Sequence, residues 1–101
     1  MTEIIECVEL LRQMVAIPSE SGHEAALAAF IETFLREELG MQTQLHQIEG
    51  SSCNVTGCWE TGAPTRRRLR LGGHLDTVPP TSRWRTDPDQ LVPRGDELHG
   101  L

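Results

Sequence analysis

Lysine and tyrosine are both missing from this 101-residue sequence, so every basic side chain other than histidine is one of nine arginines, set against fifteen acidic residues. The resulting formal net charge of −6 argues against a general nucleic-acid or anionic-membrane surface. Arg66, Arg67, Arg68 and Arg70 crowd one short stretch, and a run of that kind can contact phosphate or RNA. No aromatic or glycine pattern interleaves it, however, and a solvated strand entry that also protects a sheet edge is the preferred reading. No apolar run approaches the roughly 20 residues needed to span a bilayer. Nor does the N-terminus carry a positive region followed by an apolar core, since Glu3, Glu6 and Glu9 interrupt it, which excludes an ordinary secretory signal. The expectation is a cytoplasmic protein with neither a nucleic-acid nor a membrane partner.

Disulfide chemistry is equally short of material. Three cysteines, Cys7, Cys53 and Cys58, are an odd number without the spacing of a secreted scaffold, so a reducing compartment is the simpler inference. Cys53 and Cys58 would face opposite sides of one strand, where they can neither bridge nor share a metal readily. Cys7 falls in a helical pattern and is expected to act as a small buried apolar residue. Without a secretory route the Asn54-Val55-Thr56 sequon loses its meaning, and Arg94-Gly95-Asp96 after Pro93 reads as a tight turn. There is no internal repeat, low-complexity tract or domain boundary. The length permits one small domain that buries about 60 to 70% of its unfolded surface.

What is present is a succession of short periodic segments. Ile4, Val8, Leu11 and Val15, widened by Ile5, have the spacing of an amphipathic helix over residues 3 to 16, with Thr2 as its N-cap and Pro18 as its end. Ser21 and Glu24 form the pattern of a capping box for a second helix from Gly22 to Leu39. That helix carries Leu27, Phe30, Ile31, Phe34 and Leu35 inward and is closed by Gly40. His23, in its first turn, is read as exposed surface. Strands near 42 to 48 and 53 to 59 make a hairpin, the first glutamine-rich and suited to an edge. Thr61 to Thr65 then break the chain. Leu91-Val92 and Glu97 to His99 flank a further turn as a second small hairpin.

The organising stretch is LRLGGHLDTVPP, Leu69 to Pro80. Leu69 and Leu71 alternate with Arg68 and Arg70, the period-two pattern of a buried strand with one apolar face. Gly72 and Gly73 let the backbone turn tightly or another group come close. His74 and Asp76, two apart in extended backbone, point to the same side. A metal-bound imidazole commonly gives its other ring N–H to a carboxylate that fixes its tautomer, which would make His74 the ligand and Asp76 its orienter. The plainer alternative is a polar strand end followed by a turn, since DTVPP is rich in turn formers.

GGHLDTVPP also resembles the first metal-binding motif of the zinc-dependent family that includes acetylornithine deacetylase, succinyl-diaminopimelate desuccinylase, aminoacylases and carboxypeptidase-type exopeptidases. Trp84, Asp87 and Pro88 resemble the Trp-x-x-Asp-Pro segment that often follows, and ELLRQMVAIPSESGHE resembles the family's opening helix and loop. The resemblance implies that His74 binds one of two zinc ions, with cobalt an alternative, and that Asp76 is the catalytic-site residue that orients it. It gives the counterpart of His99 no ligand role, and leaves open whether Trp84 caps the metal region or packs a loop. The implied fold is α/β, the N-terminal part of a three-layer αβα zinc-hydrolase catalytic domain with two helices and then a mixed sheet. Residues 1–101 would be a single incomplete domain.

The implied activity is hydrolysis of an amide bond in an N-acyl amino acid or small peptide, with a homodimer left open for the complete enzyme. The family's second motif, an Asp-Met-Lys-Gly-like stretch with the bridging aspartate, would begin beyond Leu101. Leu98 to Leu101 resembles the run leading into it, so the coding sequence is expected to continue into that motif within about ten residues. The general base and the remaining ligands would lie further on. A chain holding only this part is expected to be poorly stable or self-associating. Two readings from other classes stand beside this one, a non-catalytic α/β module and an arginine-dependent nucleic-acid binder.

Overall fold

The computed structural model describes residues 2–60, 62 and 67–101. Two helices, α1 (Thr2–Val15) and α2 (Ala25–Glu37), precede four strands, β1 (Gln42–Glu49), β2 (Ser52–Cys58), β3 (Val92–Arg94) and β4 (Glu97–His99). This is the expected α/β arrangement, helices first. The strands form two separate two-stranded antiparallel sheets, β1–β2 and β3–β4. No helix among the described residues is long and apolar enough to cross a membrane.

Local sequence explains most of these elements. Gly40, at φ +64, closes α2 in the left-handed conformation that glycine adopts at no steric cost, and the Met41 N–H then reaches the Leu35 carbonyl at 3.0 Å. The β1–β2 hairpin is tighter than expected. Glu49 pairs with Ser52, leaving only Gly50 and Ser51 in the turn, with Gly50 at φ +53. Gly95, at φ +66, turns the β3–β4 hairpin in the same way. Thr2 is the first residue of α1 rather than its cap, and Cys7 is exposed rather than buried, because it lies off the apolar stripe of a helix whose other faces meet solvent.

Helix α2 packs across β1 and β2. Gly57 of β2 sits where a Cβ would come within 2.8 Å of the Met41 sulfur and 3.0 Å of a Leu35 methyl, so the missing side chain lets helix and sheet approach. The first free N–H of α2, on Ala25, is satisfied by the Ser51 carbonyl at 2.9 Å, which locks the helix start to the hairpin turn. Leu27 and Ala28 are its fully buried residues, with Phe30, Ile31, Phe34 and Leu35 half-buried on the same face. Helix α1 ends near the second hairpin, where Val15 and Leu91 both lie within 3.3 Å of a Cβ built on Gly100.

The buried central strand expected at Leu69 to Leu71 does not form. Residues 67–76 carry no strand pairing, and Leu69 and Leu71 are each 87% exposed. The alternation is real, but a period-two pattern becomes a strand only when a neighbour supplies hydrogen bonds and an apolar surface. Neither stands beside this segment among the described residues. Gly72 and Gly73 likewise have ordinary φ and open space where a Cβ would lie, so no close approach occurs there. Arg68 and Arg70 are exposed but flank no sheet edge. Arg66 and most of the 61–65 break lie outside the described residues.

Sheet-like pairing begins only at the end of the motif, through a parallel bridge between Glu20 and Thr77. The Ser21 N–H donates to the Thr77 carbonyl at 3.1 Å, and the Thr77 N–H to the Ser19 carbonyl at 2.9 Å. The Ser19 hydroxyl, in a residue only 4% exposed, donates to the Leu75 carbonyl at 2.9 Å. Ser19→Ala removes that donor from a buried position and is expected to destabilise the chain by about 1 to 2 kcal/mol. Amide hydrogen exchange at Ser21 and Thr77 should quicken in parallel; unchanged protection there would show that the bridge does not depend on the hydroxyl.

Candidate metal-ligand site at the junction of two loops

The bridge brings together two segments over 50 residues apart in sequence, the PSESGHE loop between the helices and the HLDT part of the motif. Its product is a chain of three side chains. The Ser21 hydroxyl donates to Asp76 Oδ2 at 2.7 Å, and His74 Nδ1 lies 3.2 Å from Asp76 Oδ1 and 2.9 Å from the Asp76 carbonyl oxygen. The expected common side of His74 and Asp76 is therefore present, and the two are in contact.

The tautomer follows from the partners. With Asp76 ionised, both atoms facing Nδ1 are acceptors, so Nδ1 carries the proton and Nε2 of a neutral ring keeps its lone pair. The His74 side chain is 85% exposed, and among the described residues no hydrogen bond engages Nε2. A ring nitrogen held by a carboxylate in this way is also found in histidines that bind a metal through the other nitrogen.

Asp76 is itself held. Its carboxyl lies below the usual carboxylate range chiefly because Ser21 donates to it; its own backbone N–H and His74 add to this, while partial desolvation opposes it. A carboxylate with this many donors orients its neighbours. Glu24 stands close by, its carboxylate accepting the Gly22 N–H at 2.8 Å. That bond is the main reason its carboxyl also lies below the ordinary glutamate value, with repulsion from Asp76 acting the other way.

Beside His74 lies a cavity of about 160 Å³ walled largely by Leu11, Met14, Val15, Ile17, Leu27 and Leu75. It is smaller than the roughly 300 to 1,000 Å³ of a small-molecule site. Trp84 does not line it. That indole lies instead in a separate depression with Arg83, Arg85, Arg94 and His99, packed toward the β3–β4 hairpin.

His23 is exposed, His46 pairs with Thr56 at 3.0 Å, and His99 pairs with Glu97 at 2.9 Å. Among the described residues the three cysteines are unpaired, and no group of three or more His, Cys, Asp or Glu is placed to hold a metal ion. The junction thus holds one imidazole–carboxylate contact, His74 with Asp76.

Sequence reasoning missed Ser21 at this site. The capping-box pattern was present, but Ser21 caps nothing; Glu24 occupies the N-cap position of α2 without a side-chain cap bond. Half of the box survives in altered form, since the Glu24 carboxylate does reach back, to Gly22 rather than to the Ser21 N–H. The only signal for the true partner was that the PSESGHE loop and the GGHLDTVPP motif share one family resemblance.

Both carboxyls at the junction have folded-state values below those of an unfolded chain, so they contribute stability that is fully present above about pH 4 and is lost as pH falls through the lowered values. Acid should therefore loosen this loop. Amide exchange at Gly22 and Ser21, corrected for its intrinsic pH dependence, is expected to accelerate below about pH 4, and Glu24→Gln should lose part of that dependence. A flat corrected profile would show that the two carboxylates do not hold the loop.

Known proteins resemble this chain in sequence. The acetylornithine deacetylase of Erwinia tasmaniensis is 30% identical, over 99% of this chain and 28% of that protein. A probable carboxypeptidase of Aspergillus clavatus is 39% identical over 68% of this chain and 15% of its own length. The LysW-lysine hydrolase of Deinococcus radiodurans is 41% identical over 70% of this chain and 17% of its own. The chain thus spans less than a third of the length of these relatives. No family model and no solved structure matches it. With 30% identity over 99% of its length, the chain belongs to the acetylornithine deacetylase and carboxypeptidase family.

Proposed function

We propose that this chain supplies the first metal ligand and its orienting carboxylate to a dinuclear zinc amidohydrolase of the acetylornithine deacetylase type, acting on the amide bond of an N-acyl amino acid or small peptide. The observation that carries the reading is the His74–Asp76 pair, with Nδ1 held by two acceptors and Nε2 turned to solvent. The donor set fits a zinc or cobalt ligand, since neutral imidazole nitrogen is among the commonest donors to both. Zinc bound there would supply a positive charge able to polarise an amide carbonyl and acidify a water.

In this scheme His74 binds and Asp76 orients. The apolar cavity beside them suits the side chain or acyl group of a small substrate, which the acetylornithine deacetylases and carboxypeptidases among its relatives make the expected class. The second reading, a non-catalytic module, draws on one observation, the lack of a third ligating group near His74 among the described residues.

Metal affinity separates the two. A complete zinc site of about four ligands binds with an apparent 10 to 16 kcal/mol, so a lone imidazole is expected to bind zinc only at about millimolar concentration. Titration followed on the His74 ring protons should show this weak binding, and His74→Ala should abolish it. Tight one-to-one binding that survives His74→Ala would mean that other residues form a site and would remove His74 from the proposal.

Turnover is the other measure. The 101-residue chain assayed with zinc or cobalt against N-acetylornithine, N-succinyl-diaminopimelate and dipeptides is expected to show no hydrolysis, because a base and a firmly held metal are both needed. Activity that persists through repurification and vanishes in His74→Ala would contradict this and make the chain a catalyst by itself.

A further inference from the structure

We propose that Ser21 is a positioning residue for the His74–Asp76 pair: its hydroxyl holds the Asp76 carboxylate in the orientation that keeps the His74 proton on Nδ1 and presents Nε2. The inference deepens the proposed function and rests on it only where zinc is concerned.

Three observations carry it. The Ser21 hydroxyl, an exposed group with no core to fill, makes its hydrogen bond to Asp76 Oδ2, at 2.7 Å. It does not cap α2, the local task its sequence pattern predicts. The carboxylate it grips uses its other oxygen, Oδ1, toward His74. One donor therefore sets the rotation of the Asp76 side chain and hence the position of the acceptor that faces the imidazole.

The backbone geometry separates this role from a merely structural one. The loop is tied to the motif through the Ser21 N–H, the Thr77 N–H and the Ser19 hydroxyl, none of which involves the Ser21 side chain. Removing the hydroxyl should leave the bridge in place and free only the Asp76 carboxylate. His74 Nδ1 would keep the Asp76 carbonyl at 2.9 Å but lose the reliable second acceptor. The consequence falls on the imidazole, two side chains away from the substitution.

The test uses the whole 101-residue chain, nitrogen-labelled, with zinc alone as the probe. Long-range proton–nitrogen spectra at mildly alkaline pH should show His74 mainly as the Nδ1–H tautomer. In Ser21→Ala the population is expected to move toward Nε2–H, and zinc binding at His74 to weaken by about three- to tenfold, less than the loss for a direct outer partner of a ligand. Ser21→Thr, which keeps the hydroxyl, should restore both. If the alanine variant does not fold, Ser21→Thr and the isosteric Ser21→Val carry the same comparison. An unchanged tautomer in a folded variant lacking the hydroxyl would overturn the proposal, as would a shift that threonine does not reverse. Zinc that never reaches His74 in the unsubstituted chain would count against the metal reading alone, and the tautomer comparison would still decide the role of Ser21.

Discussion

The site depends on the parallel pairing of residues 19 to 21 with 75 to 77. Two backbone bonds and the Ser19 hydroxyl hold it. Closing a loop of more than 50 residues costs only slightly more than closing one of half that length, so a few well-made bonds can fix the approach of distant segments once nearby packing assists. That assistance comes from Leu27 and Ala28 at the start of α2 and from the apolar side of α1 around the small cavity. The bridge places Ser21 against Asp76, and through Asp76 sets the face that His74 presents.

Elements whose cause is local were legible in the sequence, and those whose cause lies elsewhere in the chain were not. Both helices, the β1–β2 hairpin and the β3–β4 hairpin follow from periodicity and from glycines at turns, each a matter of neighbouring residues. Ser21 and Glu24 show where this fails. Their spacing matches a capping box, yet α2 begins at Ala25 with Glu24 in the N-cap position, and the Ser21 hydroxyl donates at 2.7 Å to Asp76, a partner brought near by the long-range bridge. Leu69 and Leu71 fail for the opposite reason. Their alternation states what the segment would do beside another strand, and no strand lies beside it among the described residues. The His74–Asp76 contact was legible because it spans two residues and needs only extended backbone.

The distribution of burial agrees with this division. Leu27 and Ala28 are the hydrophobic residues fully buried among those described, while Leu69, Leu71 and Val78 around the motif are well exposed. The radius of gyration is 15.9 Å, against about 13 Å for a compact 100-residue domain. Apolar surface near the motif therefore contributes little to the stability of this chain, and order at the site rests on hydrogen bonds. Such order is more sensitive to the protonation of Glu24 and Asp76 than a packed core would be.

Asp76 is held through both of its carboxylate oxygens. One carboxylate oxygen of Asp76 accepts from Ser21 and the other is turned to His74. Its lowered pKa, due first to Ser21, is the mark of a group already well solvated by protein donors. His74 is the reverse case, one nitrogen satisfied and the other open. The proposed roles, orientation for the carboxylate and binding for the imidazole, rest on this contrast. Because Ser21 comes from the inter-helix loop and His74 from the motif, the Ser21–Asp76–His74 chain of contacts exists only where both segments are folded together.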